Sequence, residues 1–338
     1  MQNEVVQLGD GGGGSLTAKL IDQIFFSAYQ SKYLNQGNDA ADIGMDSNHI
    51  AVSTDSFVIT PAFFNGGDIG HLAVCGTVND VATSGAYPRY LTVAFVIEEG
   101  FSLADLKRIA QSIADTAAKA QVQIVSGDTK VVGHGEIDGI IINTTGIGIY
   151  QRPYKIGGQN LQPGDKLILS GTLGDHGIAI MADRLKLSQK LSSDAAPLNL
   201  MMQDIIKAVG ASGAVKTKQG VHAFRDPTRG GLAATLNEFC QQSKVDIYID
   251  EEKIPVKPEV EAICETLGLD ILQVANEGKI VCACSAECAT EILSLMPADA
   301  ALIGEVTEGK KNKAYLRTAF GSTRIIDNLA GEQLPRIC

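Results

Sequence analysis

Acidic side chains set beside glycines are the first feature of this sequence with chemical content. Asp39 lies in NDAAD, Asp55 in STDS, Asp80 in GTVND and Asp128 in SGDTK. Each alone reads as a solvated turn residue or a helix cap. As a group they suggest more, because three fall at or near the ends of expected elements, where side chains can converge. Magnesium takes hard oxygen ligands and usually combines one or two carboxylates with nucleotide phosphates. The glycine run Gly9 to Ser15, including Gly11 and Gly12, precedes an expected helix. Backbone amides free of side chains can approach a phosphate there, helped by the helix dipole. A flexible leader explains the same glycines. The run is neither a P-loop nor a dinucleotide-binding turn, since no Gly-Lys-Ser/Thr follows it and no strand precedes it. Asp226-Pro-Thr-Arg229-Gly-Gly opens another helix, Leu232 to Cys240, where Arg229 and free amides could hold an anion. An ordinary helix start with Asp226 as its cap is the competing explanation.

The cysteines divide into two kinds. Cys282, Cys284 and Cys288 lack a fourth zinc ligand nearby in sequence, and the first two share one face of an expected strand, Lys279 to Ser285. They read as small core hydrophobes, as do Cys75, Cys240 and Cys264 within helical patterns. Cys338 differs. It is the last residue, after Pro-Arg-Ile, on a tail with little to bury. It is no prenylation box. The adjacent carboxylate disfavours its thiolate unless a cation such as Arg336 offsets it. That suits the acceptor of a delivered group better than a free nucleophile.

The elements that would carry these residues alternate in type. Helices are expected over Leu16–Tyr29, Ile69–Ser84 and Phe101–Ala120, the last with Leu103, Leu106, Ile109, Ile113 and Ala117 on one face. Strands are expected over His49–Ile59, Tyr90–Ile97, Val122–Val125, Gly139–Tyr150 and Lys166–Ser170. This predicts an α/β (α+β) architecture in two domains, 1–152 and 160–329, joined through the Gly- and Pro-rich segment 151–164 and followed by a flexible tail, 330–338.

Composition narrows the function. A net charge of -11 and the absence of tryptophan argue against a nucleic-acid partner. No run of about 18 apolar residues would span a membrane. The N-terminus lacks a basic, apolar export signal, and the 7 cysteines are odd in number. A cytoplasmic enzyme with reduced thiols is the expectation.

The motifs GDGGGG, STDSFVITP, CGTVNDVA, GDTKVV, SGTLGDHG, DPTRGG, ANEGK and the terminal PRIC together resemble the HypE family of hydrogenase maturation proteins, over essentially the whole chain. That family is grouped with aminoimidazole ribonucleotide synthetase and selenophosphate synthetase. The resemblance implies the two-domain fold of that group and a homodimer formed through the N-terminal domain. It implies ATP and magnesium as cofactors. A carbamoyl group is implied to arrive on Cys338 from the carbamoyltransferase HypF, to be dehydrated to a thiocyanate at the cost of ATP, and to pass as cyanide to a HypC–HypD complex for [NiFe]-hydrogenase. By the same resemblance, Glu277 of ANEGK would be the general base and Lys130 of GDTK would steady phosphate charge. Gly11, Gly12, Asp55, Asp80, Asp128, Asp226 and Arg229 would bind nucleotide, and Asp39, Asp55, Asp80 and Asp128 would hold magnesium. His134 is a further catalytic candidate. A selenophosphate-forming relative would call for a reactive residue near the N-terminus, and no cysteine precedes Cys75. A non-catalytic assembly factor whose cysteine tail docks on a partner is the reading from a different class.

Overall fold

A computed structural model of the chain describes residues 4–12, 15–34, 40–41, 43–45, 47–151, 156–187, 191–211 and 220–327. Asp39, the tail from 330 and Cys338 lie outside the described residues.

The first half is built on a four-stranded sheet. The expected first helix is three pieces: α1 (Ser15–Leu20), a π-helical segment (Ile21–Phe26) and α2 (Ser27–Tyr29). Then come β1 (Ile50–Phe57), the short β2 (Phe63–Phe64) and β3 (Gly67–Asp68), α3 (Ile69–Thr83), β4 (Tyr87–Glu98), α4 (Leu103–Ala120), β5 (Gln123–Val132) and β6 (Ile140–Ile149). The sheet order is β1-β6-β4-β5, with β4 and β5 parallel across the α4 crossover and the other pairs antiparallel.

Local chemistry sets these elements. Asp68 caps α3 by accepting from the Gly70 and His71 amides at 2.8 and 3.0 Å. Ser102 caps α4 by accepting from Asp105 N–H at 3.2 Å. The apolar stripe predicted for α4 is fully buried at Leu106, Ile109 and Ile113. Each such side chain contributes about 1.5–3 kcal/mol on leaving water. Helix α3 lies directly on β6 because Gly146 and Gly148 carry no Cβ. A Cβ at Gly146 would stand 2.9 Å from both Thr77 and Val81.

The second half holds β7 (Lys166–Leu169), α5 (Asp175–Arg184), α6 (Asn199–Val209), β8 (Val221–Arg225), α7 (Gly231–Ser243), β9 (Val245–Asp250), α8 (Pro258–Leu267), β10 (Val281–Cys284), α9 (Ala289–Ser294), β11 (Ala301–Glu308), β12 (Ala314–Arg317) and β13 (Thr323–Ile325). Its seven-stranded sheet runs β13-β12-β9-β11-β7-β10-β8. Helix α7 packs Leu232, Leu236 and Phe239 on one face, while α6 and α9 cover the other with Met202, Ile205 and Ile292. Cys282 and Cys284 are buried in that second core, and Cys75, Cys240 and Cys264 are buried as expected.

Two local expectations are corrected. Asp128 does not end a strand: β5 runs on to Val132, because Gly127 to Val132 keep pairing with β4 from Val93 to Glu98. Asp226 does not cap a helix: α7 starts at Gly231 behind a left-handed Gly230 cap.

Candidate active site

Strand register decides which aspartates can meet. Asp55, Thr144, Val93 and Gly127 form one row across the four strands, and this row faces α3. Thr144 proves the direction, since its hydroxyl donates to Ala73 C=O of α3 at 3.0 Å. Asp80 meets the same face from α3, where Ser53 Oγ donates to its carboxylate at 2.8 Å. Asp128 belongs to the neighbouring row with Ser56, Asn143 and Ala94, so it points to the opposite face. It also sits on the other edge strand, about 14 Å away at roughly 4.8 Å per strand. Asp55 and Asp128 therefore do not converge within one subunit. Among the described residues no three His, Cys, Asp or Glu side chains form a metal cage.

A second group does assemble, around Glu277. The Gly174 amide donates to Asn276 Oδ1 at 2.7 Å, and Asn276 Nδ2 donates to Pro227 C=O at 3.2 Å. These bonds tie GDHG, ANEGK and DPTRGG into one junction. Asn79 of α3 donates toward Glu277 C=O at 3.4 Å, bringing the first half to the same place. Glu277 is 3% exposed. Burial holds its carboxyl well above the usual range, and the nearby Asp226, Asp194, Asp55 and Asp80 charges push the same way. Asp226 is pushed up to about 7, first by burial and then by Asp80. Asp80 is also raised, by burial against the opposing Ser53 bond, with Asp55 adding repulsion. Asp80, Asp226 and Glu277 thus all feel the Asp55 charge.

Hard oxygen donors crowded together, from the exposed Asp55 to the buried Glu277, fit a divalent cation shared with phosphate oxygens. They do not fit a cage made by protein alone. Arg225, adjacent to Asp226, partly offsets the upward push on Asp226 and Asp80 and pairs with Glu238. It was not picked out from sequence, though it directly precedes DPTRGG. Arg229 is exposed.

The glycine run and GDTK form a separate patch. Gly11 lies so close to β5 that a Cβ would approach Val131 N within 2.7 Å. A cavity of about 260 Å³ opens there, lined by Gly11, Thr17, Phe25, Tyr29, Phe95, Asp128 and Lys130 among others. The Tyr29 hydroxyl is buried without a hydrogen-bond partner. Apolar walls beside backbone glycine suit a flat ring carrying phosphates, while Lys130, two residues beyond Asp128 on β5, turns to Asp128's face of the sheet at the cavity's edge. His134 is outside both groups. It is 86% exposed and pairs with Glu98 at 3.0 Å.

Comparisons with known proteins agree with this architecture. Residues 37–150 match the family described as AIR synthase related protein, N-terminal domain, and residues 162–317 match its C-terminal domain. The carbamoyl dehydratase HypE of Cupriavidus necator is 47% identical, over 98% of this chain and 95% of its own. The solved structure of a hydrogenase maturation protein HypE in complex with ATP superposes with a TM-score of 0.91 at 40% identity, covering 98% of this chain and 99% of that one. A HypE–HypF complex matches with a TM-score of 0.78 at 42% identity, over 92% of this chain and 99% of the other. The two-domain fold predicted from the alternation of elements and from the motifs is the fold found. On identity and coverage, the chain belongs to the carbamoyl dehydratase HypE family of hydrogenase maturation proteins.

Proposed function

We propose that the chain dehydrates a carbamoyl group carried on Cys338, turning an S-carboxamide into an S-thiocyanate while ATP becomes ADP and phosphate, and so supplies the cyanide ligand of [NiFe]-hydrogenase. The observation that carries this reading is the buried Glu277, held where both halves of the molecule meet. Dehydration removes one oxygen and two N–H protons. The carboxamide oxygen attacks the γ-phosphorus, ADP leaves, and a base takes the first N–H proton. Loss of the second proton with departure of phosphate then closes the C≡N bond. A carboxylate whose proton affinity is raised by burial suits such a base. Lys130 steadies charge developing on the transferred phosphoryl group, and the backbone at Gly11 and Gly12 lets the phosphates come close, with the Gly12 amide turned to Gly9 C=O at 3.2 Å. Asp55, Asp80 and Asp226 of one subunit would hold magnesium, joined by Asp39, and would share phosphates with Lys130 and Asp128 only across a subunit pairing, since β1 and β5 are opposite edges of the sheet. The cation would supply charge neutralisation there.

The open face of the first sheet supports a homodimer. Val52 and Ile50 are 60% and 43% exposed, in rows with Ile147 and Ile149 of β6. Isolated apolar residues need no explanation, but a row along one sheet face calls for a cover. Asp128 points to this same face. Pairing two such faces brings one subunit's Asp128 to its partner, and lets it serve a phosphate–metal site that Asp55 cannot share within a single chain.

Loading of Cys338 falls to HypF, in keeping with the HypE–HypF complex among the similar structures. A HypC–HypD complex then receives the cyanide. The free thiols suit a reducing cytoplasm. No helix among the described residues is long and apolar enough to cross a membrane. The test is intact mass after incubation with HypF, a carbamoyl donor and ATP. Wild type gains a carbamoyl group and then loses one water, whereas Cys338→Ala gains nothing. An equal adduct on Cys338→Ala refutes the assignment of the carrier.

A further inference from the structure

The segment from Leu191 to Asn199, just before and into α6, belongs to the second half by sequence but is fastened to the first half along its length. Asn65 Nδ2 donates to Leu191 C=O at 2.7 Å, and the Ser193 amide donates to Asn65 C=O at 2.8 Å. His71 Nε2 meets Ala195 C=O at 2.7 Å. Asn79 Nδ2 donates to Ala196 C=O at 3.0 Å, and its Oδ1 accepts from Leu198 N–H at 2.7 Å. Asn199 Nδ2 reaches Ala120 C=O at the end of α4, at 2.8 Å. These anchors fix the segment against β2, α3 and α4.

One side chain of this strap turns the other way. Asp194, its side chain 3% exposed, accepts the Glu277 backbone N–H through Oδ1 at 3.2 Å and Lys279 Nζ through Oδ2 at 3.1 Å. Lys279 is itself mostly buried and stands 3.9 Å from Asp175, which Lys257 also pairs at 2.8 Å. Between the two contacts sits Gly278, where a Cβ would overlap the Asp194 carbonyl oxygen. Strap and loop are therefore packed backbone to backbone, with one carboxylate bridging residues 277 and 279. Burying a carboxylate is costly without partners, and here each oxygen has one, a backbone amide on Oδ1 and an ammonium on Oδ2.

We propose that Asp194 is a positioning residue for the dehydration: it clamps the backbone of Glu277 and Lys279 to a strap anchored on the first half, holding the Glu277 carboxylate at a fixed place between the two halves. This rests on Glu277 being the base. A misplacement of about 1 Å in a reacting group costs on the order of 100-fold in rate. Among the described residues Asp194 makes no hydrogen bond to the glycine run, to Lys130 or to Asp55, Asp80 and Asp226, so its loss falls on the chemical step ahead of nucleotide binding.

The test uses the full chain preloaded with a carbamoyl group by HypF, following loss of water by intact mass in single turnovers, with ATP concentration varied. Asp194→Asn is isosteric and keeps one acceptor for the Glu277 amide. Asp194→Ala removes both contacts. The expected result is a maximal rate down about 10-fold in Asp194→Asn and about 100-fold in Asp194→Ala, with the ATP concentration at half-maximal rate within 2-fold of wild type. A maximal rate within 2-fold of wild type in Asp194→Asn overturns the proposal. So does a loss expressed as weaker ATP dependence with an unchanged maximal rate. If Asp194→Ala does not fold, Asp194→Asn decides alone. Glu277→Gln, run alongside, separates the two claims. Wild-type dehydration in Glu277→Gln removes the base and the clamp's purpose together, whereas an inactive Glu277→Gln beside an unaffected Asp194→Asn removes the clamp only.

Discussion

Asn in place of Asp226 should make the nucleotide-free protein more stable at neutral pH and leave it unchanged in acid. Burial, then the Asp80 charge, pushes Asp226 up to about 7, against an ordinary carboxyl value near 3.9 in the unfolded chain. The difference is about 3 units, or about 4 kcal/mol at roughly 1.36 kcal/mol per unit. Asp226 is only half-buried, so solvent screening brings the figure to about 2 kcal/mol. The sign follows from proton counting. Between about pH 4 and pH 7 the folded chain keeps a proton that the unfolded chain has lost, so stability falls as pH rises through this window and levels off above it. Below about pH 4 both states are protonated and the penalty vanishes. Calorimetry between acid and mildly alkaline pH, without nucleotide or divalent cation, should show Asp226→Asn melting about 4–8 °C above wild type at pH 8. The two should coincide near pH 4. A variant that melts below wild type at pH 8, or above it by the same margin at every pH, would refute the charge crowding inferred for this corner.

Two further outcomes follow from packing. Val52→Asp places a charge in the exposed apolar row of β1 and should convert a dimer to a monomer in sedimentation, with its thermal midpoint within a few degrees of wild type; an unchanged sedimentation coefficient would remove that face as the subunit contact. Gly278→Ala forces a methyl group against the Asp194 carbonyl oxygen, which is backbone and cannot rotate away; it should cost about 1–3 kcal/mol in denaturant unfolding, and an unaltered midpoint would show that strap and loop separate freely.

Much of the fold was legible because its signals are local. The stripe on α4, the alternation along β4 and β6 and the buried strand at Cys282 and Cys284 all follow from the nearest residues. The length of β5 was not, because GDTK is polar and looks like a strand end; pairing with Val93 to Val96 carries the strand through it. The site was legible as a set of residues and illegible as an arrangement. Nothing in spacing shows that Asp55 and Asp128 face opposite sides of a sheet, since that depends on the register of four strands. Glu277 entered through the family motif, and nothing in the residues around it signalled that it is buried. Asp194 gave no signal at all: its neighbours Ser193, Ala195 and Ala196 suggest an ordinary loop, and its partners lie more than eighty residues away in sequence, Glu277 by 83 and Lys279 by 85.

The reading stands or falls on Glu277 as the base that removes protons from the carbamoyl group on Cys338. Its most direct test is an intact-mass time course of Glu277→Gln beside wild type, both loaded by HypF and then given ATP and magnesium. Both chains should gain one carbamoyl group at similar rates. Wild type should then lose one water, while Glu277→Gln should hold the carbamoyl mass unchanged. Loss of water from Glu277→Gln at the wild-type rate would contradict the account.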